Sequence, residues 1–274
     1  MHPIEDPGDP RLADYRNLTD AGARRAVEAD GHGCFIVEGS LALDRVLTGG
    51  APLRSVLVTP SRARSLTVLL GRVPAGVPVL VAEREVLRGV TGFDVHRGVL
   101  ASALRSPVPT ADAVLARSHR VVVTEGLNDH ENLGSLFRNA AALGLDAVLL
   151  DDRSADPLYR RSVRVSLGWA AVLPHCRVGP LPAGYDVLRR HGLRVVALTP
   201  GTDAVSVDEA AGTGLLDGPL ALVVGAEGPG LSEGAVDGSD VRVRVPMTGD
   251  VDSLNVATSL AVVAAFGAAR RGWR

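Results

Sequence analysis

The sequence predicts an α/β protein of two domains, the second organised around a parallel sheet. Short apolar runs alternate with helix-like stretches along most of the chain, the pattern of repeated strand–helix units. In the second half these runs are apolar at consecutive positions, as in strands covered by helices on both faces. The length of 274 residues, 46% of them hydrophobic, accommodates two domains of about 100–150 residues each.

Residues 1–30 read as a polar, proline-broken lead-in and then a helix that Thr19 or Asp20 would cap, carrying the Arg24-Arg25 pair. Cys34-Phe-Ile-Val37 is the first buried strand, residues 40–47 form a helix stopped by Gly49-Gly50, and Ser55-Val-Leu-Val58 is the second strand. A helix over 62–72, a strand over 77–81, a helical stretch over 83–87 and a strand over 98–101 complete a first domain, 1–104, with a largely parallel sheet. Residues 105–118, with Ser106-Pro-Val-Pro-Thr110, form a linker. The second domain, 119–274, carries strands over 121–124, 147–150, 171–173, 194–198, 220–224 and 241–245, with helices between most of them. Its segment 253–269 is uncharged but holds Ser253, Asn255, Thr258 and Ser259, and reads as a core helix rather than a membrane span. With no apolar signal-peptide core at the start, the expected compartment is the cytoplasm.

Composition narrows the chemistry. The 29 basic and 31 acidic groups leave a formal net charge of −2, so a nucleic-acid site requires local clustering of arginine. No lysine occurs anywhere, which excludes a P-loop NTPase, a pyridoxal-phosphate enzyme and a Schiff-base lysine catalyst. Aromatics at 3% argue against an RNA reader built mainly on Phe, Tyr and Trp stacking. The two cysteines, Cys34 and Cys176, stand far apart without metal-ligand spacing and read as buried free thiols. No metal site is expected.

Three clusters in the second half carry candidate chemistry. The first follows the strand at 121–124 and runs Asn128-Asp-His-Glu-Asn-Leu-Gly-Ser-Leu-Phe-Arg-Asn-Ala140. Asn132 would cap a helix with Leu133, Leu136, Phe137 and Ala140 on its apolar side. Gly134 would share a face with Arg138 and leave room for a substrate backbone to approach the guanidinium. The plainer reading is a capped surface helix with a solvated arginine. The second cluster, Gly225-Ala-Glu-Gly-Pro-Gly-Leu231, closes the strand at 220–224. Its glycines run GxxGxG, not the dinucleotide GxGxxG, yet such a loop at a strand's carboxyl end is where open α/β sheets bind ligands; otherwise it is a turn. The third, Val245-Pro-Met-Thr-Gly-Asp-Val-Asp-Ser-Leu-Asn255, is an irregular loop before the last helix, which Ser253 or Asn255 would cap. Its exposed backbone groups suit a nucleobase edge, or simply connect strand to helix. A further segment, Asp156-Pro-Leu-Tyr-Arg-Arg-Ser-Val-Arg164, reads as a helix with proline in its first turn. Arg160 and Arg164 would share a face with Arg161 beside them, able to grip phosphates or to form a solvated face.

In this order, Asn132-Leu-Gly-Ser-Leu-Phe-Arg-Asn-Ala140, Val224-Gly-Ala-Glu-Gly-Pro-Gly-Leu231 and Val245-Pro-Met-Thr-Gly with Ser253-Leu-Asn255 resemble the three motifs of the SpoU (TrmH-like) ribose methyltransferases of the SPOUT superfamily. Phe35-Ile-Val-Glu-Gly39 and His96-Arg-Gly-Val-Leu-Ala101 resemble the accessory RNA-binding domain of many members, which is related to a ribosomal protein. The resemblance covers nearly the whole chain. It implies an N-terminal ribosomal-protein-like α/β domain that binds RNA, and a C-terminal parallel-sheet domain with a deep trefoil knot that holds S-adenosylmethionine. It also implies a homodimer formed through the C-terminal domain and no membrane association.

By matched position, the resemblance implies cofactor contacts from Leu198, Thr199, Gly225, Gly230, Val245, Met247 and Leu254. Arg138, Asn132, Glu227, Ser253 and Asn255 take catalytic or bracing roles. The helix pattern offers Arg160, Arg161 and Arg164 as RNA contacts, with Arg97 and the Arg24-Arg25 pair weaker candidates in the first domain. The implied reaction is methylation of a ribose 2′-hydroxyl, with rRNA favoured over tRNA because the accessory domain is present. A guanidinium is a poor base, so Arg138 is read as stabilising a developing oxyanion. The alternatives are a tRNA 2′-O-methyltransferase and a non-catalytic RNA-binding or ribosome-assembly factor on the same fold. A Rossmann methyltransferase is disfavoured, because no glycine-rich loop follows the first strand of the second domain.

Overall fold

The computed structural model describes residues 1–16, 18, 33–95, 97–249 and 251–269. The helix expected from Thr19, the Arg24-Arg25 pair and His96 lie outside the described residues. By internal packing the chain divides into two compact units, Met1–Pro107 with Leu158–Val172, and Val108–Pro157 with Leu173–Arg274.

In the first unit the described strands are β1 (His2–Ile4), β2 (Cys34–Glu38), β3 (Leu53–Val58), β4 (Val79–Ala82) and β5 (Val99–Leu104), ordered β1-β4-β3-β5-β2. β1, β4 and β3 are parallel, whereas β5 runs antiparallel to both β3 and β2. This sheet is therefore mixed, not largely parallel. An apolar run looks the same in either direction, so the pattern carries burial but not strand polarity. The polar lead-in is structured as well. β1 forms the sheet edge, and a 3-10 helix, Pro10–Tyr15, buries Leu12 and Tyr15. The Tyr15 hydroxyl donates to the Ser55 carbonyl at 3.0 Å and accepts from the Ser102 N–H at 3.2 Å. Those bonds satisfy a buried polar group that would be costly unpaired. The helix expected over 62–72 is two, Pro60–Ser65 and Thr67–Leu70.

The segment Leu158–Val172, which the sequence reading assigns to the second domain, packs within the first unit. Its helix, Arg160–Val165, begins after Tyr159 and not near Asp156, and the strand expected at 171–173 is a 3-10 helix, Trp169–Ala171. Arg160 Nη1 donates to Oε2 of the buried Glu38 at 2.6 Å, and the guanidinium lies 4.2 Å from the Phe93 ring centroid. Arg45 sits 4.5 Å over the Trp169 ring and donates to the Leu167 carbonyl. Gly168, at φ +89°, permits the close pass: a Cβ there would lie 2.9 Å from the Ala42 carbonyl oxygen.

The second unit carries β6 (Arg120–Glu125), β7 (Ala147–Leu150), β8 (His175–Arg177), β9 (Arg194–Leu198), β10 (Val205–Ser206), β11 (Leu220–Gly225) and β12 (Val241–Arg244). Every pairing in this sheet is parallel, in the order β10-β12-β9-β11-β6-β7-β8. Val121, Val123, Leu149, Val195 and Val223 belong to its core. Helix Ala111–Leu115, inside the expected linker, buries Val114 and Leu115 against that core, so the connection itself is shorter than 105–118. From β6 the chain runs outward through β7 and β8, crosses to β9, and returns to insert β11 beside β6. The strand order thus reverses at β6 and β11, the place where open parallel sheets form a crevice at their carboxyl ends. No helix among the described residues is long and apolar enough to cross a membrane.

Candidate active site

Three connections meet at the carboxyl ends of β6, β11 and β12. The first leaves β6 at Glu125 and enters helix His130–Ala142. Asp129, not Asn132, caps this helix: its Oδ1 accepts from the N–H groups of Glu131 and Asn132, each at 2.8 Å. The earlier cap leaves the Asn132 amide free for the site. Leu133, Leu136, Phe137 and Ala140 are buried, as the periodicity requires, but so is Gly134, while Arg138 is exposed. Glycine and arginine therefore do not share an open face, because Gly134 faces the core.

The second connection is the loop after β11, which folds back on itself. The Gly230 N–H donates to the Ala226 carbonyl at 3.0 Å. A Cβ at Gly225 would lie 2.1 Å from the Gly230 carbonyl carbon, so any side chain there would force the turn apart. The N–H and Oγ of Ser232 donate to Glu125 Oε2 and Oε1, both at 2.8 Å, tying the loop to β6. The third connection, 245–255, ends at Asn255. Its Oδ1 accepts from the N–H groups of Ala257 and Thr258 at 3.0 and 3.3 Å, capping helix Val256–Ala269. Its Nδ2 donates to Asn132 Oδ1 at 2.7 Å and to Glu227 Oε1 at 2.9 Å. One amide therefore caps a helix with its oxygen and joins the other two connections with its nitrogen.

Two cavities share the loop 226–231, and both fall in the size range of small-molecule sites. The larger, about 560 Å³, is lined by Leu198, Thr199, Gly225, Gly230, Val245, Met247 and Leu254, together with Glu227, Ser253 and Asn255. All seven positions matched to cofactor contacts thus line one cavity. The smaller, about 450 Å³, is lined by Asn132 and Glu227 with Glu125, Asp129, Arg153 and Ser232 among others. Arg138 lines neither cavity and has no hydrogen bond or ion pair with a described residue.

Sequence reasoning missed Glu125, Asp151, Arg153 and Ser232. Arg153 Nη2 donates to Glu125 Oε1 at 3.2 Å, and its Nε donates to Asp151 Oδ2 at 3.3 Å. Asp151 Oδ1 also accepts from the N–H of Gly126 and from the N–H and Oγ of Ser154, at 2.9, 2.8 and 2.6 Å. The available signal was position, since both acids close apolar strands whose buried carboxylates need partners. Of the arginines read as RNA contacts, Arg97 and Arg161 are exposed and Arg164 is half-buried. Arg160 is largely buried and already engaged with Glu38 and Phe93. The expected open phosphate ligand is therefore a residue that fixes its helix. Cys34 and Cys176 are buried free thiols, and burial pushes the Cys176 pKa up to about 11. Among the described residues no group of His, Cys, Asp and Glu is placed to hold a metal.

Two cavities that share one glycine loop suit a group-transfer enzyme. A sequence model of the SpoU rRNA methylase family matches residues 119–265, the stretch that holds all three connections. The chain belongs to that family of RNA methyltransferases. It is 44% identical over 257 residues to an uncharacterized tRNA/rRNA methyltransferase of Mycobacterium tuberculosis (strain ATCC 25618 / H37Rv), covering 94% of this chain and 88% of that one. It is 25% identical over 265 residues to the 23S rRNA (guanosine(2553)-2'-O)-methyltransferase RlmP of Bacillus subtilis (strain 168), covering 96% and 98%. Among solved structures, the AdoMet-bound rRNA methyltransferase of Sinorhizobium meliloti shares the fold, with a TM-score of 0.79 over 99% of this chain and 98% of that one, at 22% identity.

Proposed function

We propose that this enzyme transfers a methyl group from S-adenosylmethionine to a ribose 2′-hydroxyl of RNA, in rRNA rather than tRNA. The observation that carries the reading is Asn255, which brackets Asn132 and Glu227 where the two cavities meet. The Bacillus subtilis relative, named as a 23S rRNA 2′-O-methyltransferase, supports the chemistry and the substrate class. The Sinorhizobium meliloti neighbour, solved with AdoMet, supports the donor.

The residues of the larger cavity fit that donor. Leu198, Val224, Val243, Val245 and Leu254 offer apolar walls to a purine, and the backbone of 225–230 offers hydrogen bonds to its polar edges. Glu227 is its charged lining residue, and a carboxylate suits a cationic sulfonium. When bound, S-adenosylmethionine supplies an electrophilic methyl group. The chain's own work is then to present the acceptor. Asn132 and Glu227, fixed through Asn255, orient the ribose from the smaller cavity, and Ser253 braces the loop. Such alignment is worth up to roughly 7–11 kcal/mol in favourable systems.

Arg138 stabilises negative charge developing on the 2′-oxygen, while a phosphate oxygen or water takes the proton. Because Arg138 lines neither cavity of its own chain, this reading has it act across a homodimer formed by the C-terminal unit. The chain through 245–255 is read as the segment of a trefoil knot that closes the cofactor cavity. Arg97, Arg161 and Arg164 hold RNA phosphates, and the reaction takes place in the cytoplasm.

The test is methyl transfer from labelled S-adenosylmethionine to unmodified rRNA and tRNA, followed by nucleoside analysis. A 2′-O-methylated nucleoside from rRNA is the expected product. A base-methylated nucleoside would overturn the ribose chemistry, and a product confined to tRNA would overturn the substrate class.

A further inference from the structure

Arg153, in the smaller cavity, has no part in the chemistry above. We propose that its guanidinium is the platform on which the base of the acceptor nucleotide stacks once that nucleotide is drawn out of the RNA. The inference rests on the RNA methyltransferase reading.

An enzyme acting on one nucleotide must offer an unstacked base a flat surface, and proteins use either an aromatic ring or an arginine plane. No residue lining the smaller cavity is aromatic, in a chain with only 3% aromatics. Arg153 is the delocalised cation in that lining. Its Nε and Nη2 are tied to Asp151 and Glu125, whose side chains are 2% and 3% exposed, while its own side chain is 68% exposed. Bonds to those nitrogens lie in the guanidinium plane, so they hold its edge and occupy neither face. No ring contacts the group, and no other hydrogen bond is made to it by a described residue.

The two carboxylates do not depend on Arg153. Asp151 accepts from three other donors, Gly126 N–H and the N–H and Oγ of Ser154, and Glu125 accepts from both donors of Ser232. With the guanidinium side two-thirds exposed, solvent screens the pairing and it adds little stability. What the pairing does is stiffen a long side chain in one pose, which cuts the entropy lost on binding a ligand. The charge of the cavity decides which ligand. Glu125, Asp129 and Glu227 outnumber Arg153 there, so beside Arg153 a neutral base edge that carries N–H donors fits better than a second anionic group.

Arg153→Lys keeps the charge and removes the plane, whereas Arg153→Tyr restores a plane without the charge. The full chain is assayed with labelled S-adenosylmethionine and rRNA, alongside calorimetry of S-adenosylmethionine binding. The lysine variant is expected to raise KM for RNA roughly 5- to 150-fold, the range of losing one base stack. The tyrosine variant is expected to stay near wild type, with cofactor affinity unchanged in both. A silent lysine variant beside a damaged tyrosine variant would overturn stacking and favour a contact with phosphate. Loss of cofactor affinity in both would overturn it too, reducing Arg153 to a support of the loop. A wild-type enzyme that methylates no RNA would overturn the function itself, a result distinct from either.

Discussion

Both sheets of this molecule are built on buried apolar strands, and among the described residues the candidate site is assembled on the second of them. In the first unit β5 runs against β3 and β2, so the carboxyl ends of its strands are divided between the two ends of the sheet. In the second unit all pairings are parallel and all carboxyl ends open on one side, with the strand order reversing at β6 and β11. Loops converge only where strands end together. The parallel sheet therefore gathers Asn132, Glu227 and Asn255 from three separate stretches of chain. The mixed sheet instead buries its polar groups in fold-keeping pairs such as Tyr15 with Ser55 and Glu38 with Arg160.

The contrast is sharpest in matched core deletions. Leu57 in β3 and Leu222 in β11 are both fully buried, so each change to alanine should cost about 2–5 kcal/mol of stability. Denaturant unfolding should show similar losses, while S-adenosylmethionine affinity should fall only for Leu222→Ala. Arg138→Ala should lower kcat about 10²- to 10³-fold with the folded structure intact, the usual loss of one preorganised donor to a developing oxyanion. Near-normal turnover would remove Arg138 from the reaction.

Glycine substitutions come next. Gly225→Ala places a methyl group against the Gly230 backbone and should weaken S-adenosylmethionine binding by about 1–3 kcal/mol, the usual cost of overpacking. Gly76 in the first unit has open space around it, so Gly76→Ala should leave binding unchanged and stabilise the chain by up to about 1 kcal/mol. Asn255→Ala removes a helix cap and should cost about 1 kcal/mol of stability, with a larger fall in turnover because Asn132 and Glu227 lose their common donor. The smallest effect is expected at the thiols. Cys176 titrates near 11 in the fold, so at pH 8 it is protonated and buried, and a thiol reagent should label it only after unfolding. A raised thiol pKa favours the folded state below the unfolded value and loses that contribution as pH climbs toward 11.

The parallel strands were legible because burial on both faces leaves a continuous apolar run, as at 121–124 and 220–224. The glycine loop was legible because its residue types are needed for its shape. The lead-in shows no period, since the three residues of β1 and a six-residue 3-10 helix are too short to carry one. Asp129 and Asn132 are both good capping residues, and only the backbone shows that the helix uses Asp129. The pairing of Arg153 with Glu125 gave no local pattern, since it joins β6 to the segment after β7 across 28 positions.

By itself, the sequence determined the α/β class, the apolar parallel strands and the three stretches from which the site is built. These are properties of periodicity and residue type, which act locally along the chain. Only the tertiary structure decided that β5 runs antiparallel, that Leu158–Val172 packs with the first unit, that Arg160 is spent on Glu38, and that Arg153 stands open above two buried carboxylates. Each of those depends on which distant groups meet, and a buried charge takes whatever partner the fold brings within about 3 Å.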